Sequence, residues 1–137
     1  MTFTHSEFTD SDPAGDDIPG AIETTVAAGT AVDFDNGIFG SLRVRHFGER
    51  PLIEDGSVES DPTTLVNLQA GWQWLAFPWW GDLTFTLDVL NLLDSRDDDI
   101  TYFYASRLAG EPDEGVEDVH FHPVEPCMVR GSVTWRY

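Results

Sequence analysis

The sequence predicts an all-β fold, an antiparallel curved sheet of about five strands. Three features predict it: apolar and polar residues alternate with period two over five stretches, tight-turn residues join neighbouring stretches, and short connections alternate with long ones. With 137 residues, 41% of them hydrophobic and 12% aromatic, the chain has the material for one domain and a modest core, which argues against global disorder.

The first stretch runs over 21–34. Ile22, Thr24, Val26, Ala28, Thr30, Val32 and Phe34 share one face, and Glu23, Thr25, Gly29 and Asp33 the other. Asp35-Asn36-Gly37 is a tight-turn signature, and over 37–48 Ile38, Leu42 and Val44 then alternate with Ser41, Arg43 and Arg45, completing a hairpin. Over 63–76, Val66, Leu68, Ala70, Trp72 and Trp74 alternate with Leu65, Asn67, Gln69, Gly71 and Gln73, with Leu65 alone out of pattern. The fourth strand, 82–92, sets Leu83, Phe85, Leu87 and Val89 against Thr84, Thr86 and Asp88. The fifth, 125–137, sets Cys127, Val129, Gly131, Val133, Trp135 and Tyr137 against Met128, Arg130, Ser132, Thr134 and Arg136.

Connections of about three and six residues join strands one to two and three to four, whereas 48–63 and 94–125 are long, acidic and read as loops. Segments 1–20, 48–63 and 94–125 hold 20 of the 25 acids. All five tryptophans (Trp72, Trp74, Trp79, Trp80 and Trp135) fall near the short-turn end, with Phe34, Phe39, Phe77 and Tyr137. Phe47, Tyr102, Phe103, Tyr104 and Phe121 mark the other end. Two aromatic belts separated by strands apolar on one face and polar on the other describe the wall of an outer-membrane barrel. A soluble sandwich alternates in the same way, but has no reason to sort turn length, acidity and tryptophan together.

Other classes are excluded or unsupported. A net charge of −18, with 7 Arg and no Lys, excludes a nucleic-acid partner. The longest apolar run, 75–80, has six residues and contains Pro78, too short for a membrane-spanning helix. The opening MTFTHSEFTD reads as no signal peptide, so the expectation is either an intracellular chain or a missing true start. The lone Cys127 has no internal disulfide partner and is expected to fill an apolar position.

LTFTLDVLNLLDSRDDD resembles the penultimate-strand signature of TonB-dependent outer-membrane receptors, in which a strand ends in Asn-Leu-hydrophobe-Asp, here Asn91-Leu92-Leu93-Asp94. The ending VRGSVTWRY is similar to the terminal strand of that family. IPGAIETTVAAG, FGSLRVRHFGERPLIEDGSVESDPTTLVNLQAGW, YFYASRLAGEP and HFHPVEP extend the likeness from about Phe3 to Tyr137. The resemblance implies a segment of a 22-stranded transmembrane β-barrel in the cell outer membrane. Residues 1–20 would be the tail of a preceding strand and an external loop, and residues 21–137 the C-terminal strands. It implies energy-coupled uptake of a ligand such as an iron-siderophore or cobalamin. The expected partners are outer-membrane lipid, the plug and remaining barrel strands, which are not read in this sequence, TonB through that plug, and the barrel-assembly machinery. That machinery would read Val133, Trp135 and Tyr137, although Ser132 stands where the usual signal has glycine, displaced here to Gly131.

His120-Phe121-His122 puts two imidazoles on one face of an extended segment near Glu117, Asp118 and Glu125. With Arg107 they are candidate ligand contacts at an external loop, and a metal enzyme lacks a locatable third ligand and open position. Asp97-Asp98-Asp99 lacks the glycine and distal Glu of a calcium loop, so no metal is expected. Arg43, Arg45, Gln69, Gln73, Asp88, Arg130 and Arg136 share the polar side with Glu23, and in a barrel that side lines the lumen, where charges pair with one another. No Ser-His-Asp set, phosphate loop or Cys-His pair is present, so neither an enzyme nor a cofactor is expected. The alternative function is a soluble β-sandwich carbohydrate-binding module using exposed tryptophans.

Overall fold

A computed structural model describes residues 2–3, 15, 17–75, 81–113 and 115–137. They form ten strands: β1 (Thr2–Phe3), β2 (Thr24–Asp33), β3 (Ile38–Phe47), β4 (Arg50–Pro51), β5 (Glu59–Ser60), β6 (Thr63–Leu75), β7 (Asp82–Leu90), β8 (Asp98–Ser106), β9 (Val116–Pro123) and β10 (Met128–Arg136). No helix occurs among the described residues, and the class is all-β. The principal sheet has the order β1-β2-β3-β6-β7-β10, in which the five long strands follow one another as the alternation predicts. Of the expected preceding strand, Thr2–Phe3 pairs antiparallel with Thr24–Thr25, and Thr4–Phe8 lie outside the described residues.

The chain divides into two compact units. One, comprising 26–45, 64–95 and 125–137, is the body of the sheet. Its first turn is built as its residues require: Gly37 has φ 84°, the Phe34 amide donates to the Ile38 carbonyl (2.8 Å), and Asn36 Oδ1 accepts from the Ile38 amide (3.1 Å). Across β6, β7 and β10 the register is continuous. Trp74, Leu83 and Trp135 form one row, Trp72, Phe85 and Val133 the next, then Ala70, Leu87 and Gly131, then Leu68, Val89 and Val129. The intervening rows are Gln73, Thr84 and Thr134, then Gly71, Thr86 and Ser132, then Gln69, Asp88 and Arg130. A one-residue slip would exchange the two faces, so the alternation itself specifies this register.

The other unit, 1–25, 46–63 and 96–124, corrects one expectation. Segments 48–63 and 94–125 are not plain loops: the first contains the β4–β5 hairpin and the second the β8–β9 hairpin, joined over Ser106–Val116 to Asp98–Pro123. The reason is local. Ile100, Tyr102 and Tyr104 alternate with Thr101, Phe103 and Ala105, a run of β-branched and aromatic residues that favours a strand. Leu52 is the one buried hydrophobic side chain among the described residues.

Candidate functional site

The apolar face of the sheet is open. On the apolar rows Trp72 is 45% exposed, Leu87 46% and Val133 64%, whereas Asp88, on the opposite face, is 8% exposed. Trp72 stacks on both Trp74 and Phe85 with ring centroids 6.2 Å apart, and Trp135 lies against Tyr137, which follows the end of β10. Contiguous apolar surface on this scale marks contact with lipid or a partner. Phe77, Trp79 and Trp80 lie outside the described residues.

On the polar face the register brings three of the expected residues together. Gln69 Nε2 donates to Asp88 Oδ1 (2.8 Å), and Arg130 donates to Asp88 Oδ2 from Nη2 (2.9 Å) and Nε (3.2 Å). The carboxylate is thus held from both neighbouring strands by charge-assisted bonds. Gln73 and Arg136 stand on the same face in other rows, with Arg136 opposite Asp82. Arg43 and Arg45 border a shallow concavity with Gly29 and Asn67 instead of joining the Asp88 cluster. A hydrophobe hides here too: the Phe39 ring lies over Gly71, where an added Cβ would approach it to 2.2 Å. The sequence counts Phe39 among the aromatics of the short-turn end, but its ring lies on the polar face, because glycine on the facing strand accommodates it there.

The Asn91-Leu92-Leu93-Asp94 segment is a joint. Asn91 is 4% exposed, and both Asn91 (φ 49°) and Asp94 (φ 50°) adopt the left-handed backbone that these two residue types tolerate. Asn91 Nδ2 donates to the carbonyls of Ser95 and Glu125, and Oδ1 accepts from the Ser95 amide, each at 2.9 Å. Its own amide reaches Asn67 Oδ1 (3.0 Å), the Leu92 amide reaches the Val66 carbonyl (2.7 Å), and Asp94 Oδ1 accepts from the Cys127 amide (3.0 Å). The segment therefore ends β7 and fixes the entry to β10. Cys127 is exposed and does not fill an apolar interior position, since the strand it precedes has no covered face.

The expected ligand contacts do not converge. His120 and His122 stand on β9 opposite Tyr102 and Ile100. Arg107 follows β8 beyond the Ser106–Val116 pair, which itself lies roughly 13 Å along the strands from His120, and is paired with Asp113. His120 stacks on Tyr104 at 4.0 Å between ring centroids. Among the described residues no group of three or more His, Cys, Asp or Glu is arranged to hold a metal ion. Elsewhere in this unit Asp17, Glu23, Glu49 and Glu59 line an acidic cleft of about 240 Å³ with Thr24 and Pro51. In the β4–β5 connection, the Ser57 amide donates to Asp55 Oδ1 (2.9 Å), and this bond, with one from the Ser57 side chain, holds the Asp55 carboxyl below its ordinary range.

No family model matches the sequence, and no curated protein or solved structure matches the chain.

Proposed function

We propose that the chain is a wall segment of an outer-membrane β-barrel, the C-terminal part of a receptor of the TonB-dependent type, and that it serves transport rather than catalysis. The observation that carries this reading is the open apolar face of the sheet, set against a polar face whose charges are paired at Asp88. Four consecutive rows across β6, β7 and β10 present tryptophan, phenylalanine, leucine and valine outward, while the opposite face carries the Gln69–Asp88–Arg130 cluster. In water such an arrangement wastes the hydrophobic effect; against lipid it is the favourable one. The apolar rows then face hydrocarbon, Trp74, Trp135 and Tyr137 sit at one interface, and the Asp88 cluster faces the lumen. There an isolated charge is costly and a paired one is tolerated.

In this reading the turn at 34–37 lies on the periplasmic side, and the β4–β5 and β8–β9 hairpins are external. Uptake itself depends on a plug and further strands, with TonB and the barrel-assembly machinery as partners. A carbohydrate-binding module is the competing reading, favoured by the exposed Trp72–Trp74 stack, since sugars dock on aromatic faces. It leaves Val129, Val133 and Leu87 without a purpose. Fractionation separates the two. The receptor reading expects the protein in the outer-membrane fraction, released only by detergent. A chain that stays soluble and monodisperse at high concentration without detergent refutes it.

A further inference from the structure

We propose that the β8–β9 hairpin docks an organic cation, a small ligand carrying an ammonium or guanidinium group. One face of the hairpin presents Ile100, Tyr102 and Tyr104 on β8 beside His122, His120 and Asp118 on β9, with His120 directly opposite Tyr102 and Asp118 directly opposite Tyr104. Tyr102 is 51% exposed and Tyr104 52%. The Tyr104 ring is held in place by the stacked His120 imidazole. On the other face Thr101 is buried, while Phe121 opposite it is 61% exposed.

Charge selects the occupant. The unit that contains this hairpin carries 19 carboxylates and 3 arginines. None of the three is free: Arg50 Nη2 donates to the Asp99 carbonyl (2.9 Å), Arg107 is paired with Asp113, and Arg96 is engaged as well. A carboxylate, catecholate or phosphate ligand would meet repulsion and find no cation to bind it. A positive group is drawn in by the field and gains twice on arrival, from the tyrosine ring faces and from Asp118. The sheet unit, with 6 carboxylates and 4 arginines, shows no such imbalance. As the ligand class of a receptor this proposal rests on the reading given above, whereas the contact itself rests on the hairpin alone.

The test is a titration of the detergent-solubilised chain with arginine amide, with citrate as the anionic counterpart, followed by NMR of the aromatic and imidazole protons. Arginine amide shifts the ring resonances of Tyr102, Tyr104 and His120, and citrate leaves them in place. Tyr104→Leu weakens arginine amide binding about two- to fivefold, Tyr104→Phe retains it, and Asp118→Asn weakens it in a salt-dependent manner. Shifts caused by citrate and not by arginine amide overturn the proposal. So does binding that Tyr104→Leu leaves unchanged, which would mean only diffuse attraction to the acidic unit. Because the titration is read in solution, its failure leaves the fractionation result untouched, and the converse holds.

Discussion

Replacing Asn91 by alanine removes the three side-chain hydrogen bonds to Ser95 and Glu125 from a site that is 4% exposed. At about 0.5–1.5 kcal/mol each, their loss totals about 1.5–4.5 kcal/mol. Alanine must also adopt φ 49°, a left-handed conformation that costs a residue with a Cβ roughly 1–2 kcal/mol. Glycine loses the same bonds but not the conformation, so Asn91→Gly is expected to be the milder change by roughly 1 kcal/mol. The assay is amide hydrogen exchange in detergent micelles, which reads local opening without requiring the whole chain to unfold. With a factor of ten for each 1.4 kcal/mol, the Ser95 amide should exchange about 10- to 1000-fold faster in Asn91→Gly, and faster still in Asn91→Ala. Asn91→Asp keeps the acceptor for the Ser95 amide and loses both donors, so protection should persist at Ser95 and fall at Cys127, where β10 is entered. Unchanged Ser95 exchange in Asn91→Ala, or a glycine variant worse than the alanine one, would refute the role assigned to this joint.

The other expectations test the two faces and one surface turn. Arginine at a lipid-facing position costs about 2–4 kcal/mol at the bilayer midplane and about 0–1 near the interface. Val129→Arg should therefore impair refolding into liposomes more than Trp135→Arg, and more than Thr134→Arg on the opposite face; equal losses at Val129 and Thr134 would contradict the facing. On the proposed receptor reading, removal of Tyr137 should lower outer-membrane abundance of the intact protein more than it lowers refolding yield, which immunoblotting against liposome refolding can separate. Gly71→Ala drives a methyl group into the Phe39 ring, at a cost of about 1–3 kcal/mol, and Phe39→Ala in the same chain should relieve most of that cost in urea titrations. For Asp55 the carboxyl is lowered from 3.8 by its bonds from Ser57, so its support of the 53–58 turn is complete above that value and is lost as pH falls through the lowered one. The Ser57 amide resonance should follow this transition, with its midpoint below the ordinary carboxylate range, and Asp55→Asn should abolish it.

Alternation made the five long strands and their order legible, because each carries three or more apolar residues on one face. Their boundaries were less so: residues 21–23, read as strand, precede β2 and follow a turn closed by the Ala21 amide on the Ile18 carbonyl, with the Gly20 amide on the Pro51 carbonyl. The β8–β9 hairpin was legible in principle from Ile100, Tyr102 and Tyr104, but the surrounding acids, glycines and prolines masked it as loop. The partnership of Asp88 with Gln69 and Arg130 was not legible. Composition shows which residues are polar, while only the register between strands shows which of them meet. The same holds for Phe39 over Gly71. Asn91 was conspicuous as part of a motif, yet its work depends on carbonyls up to 34 residues away, a distance that no local pattern spans.

Because the apolar rows of β6, β7 and β10 are already open in the folded sheet, the calorimetry of this chain should differ from that of a domain with a covered core. Unfolding usually raises the heat capacity by about 12–15 cal/mol/K per residue, as apolar groups become wet. Here the folded sheet would enter water with Leu87, Val129 and Val133 wet from the outset, so the step should be small and the stability curve nearly flat with temperature. The slope of stability against urea should be shallow for the same reason. In such a chain the temperature at which order is lost is set by the medium against the outer rows, and acyl-chain length becomes a more effective thermal control than any substitution beneath them.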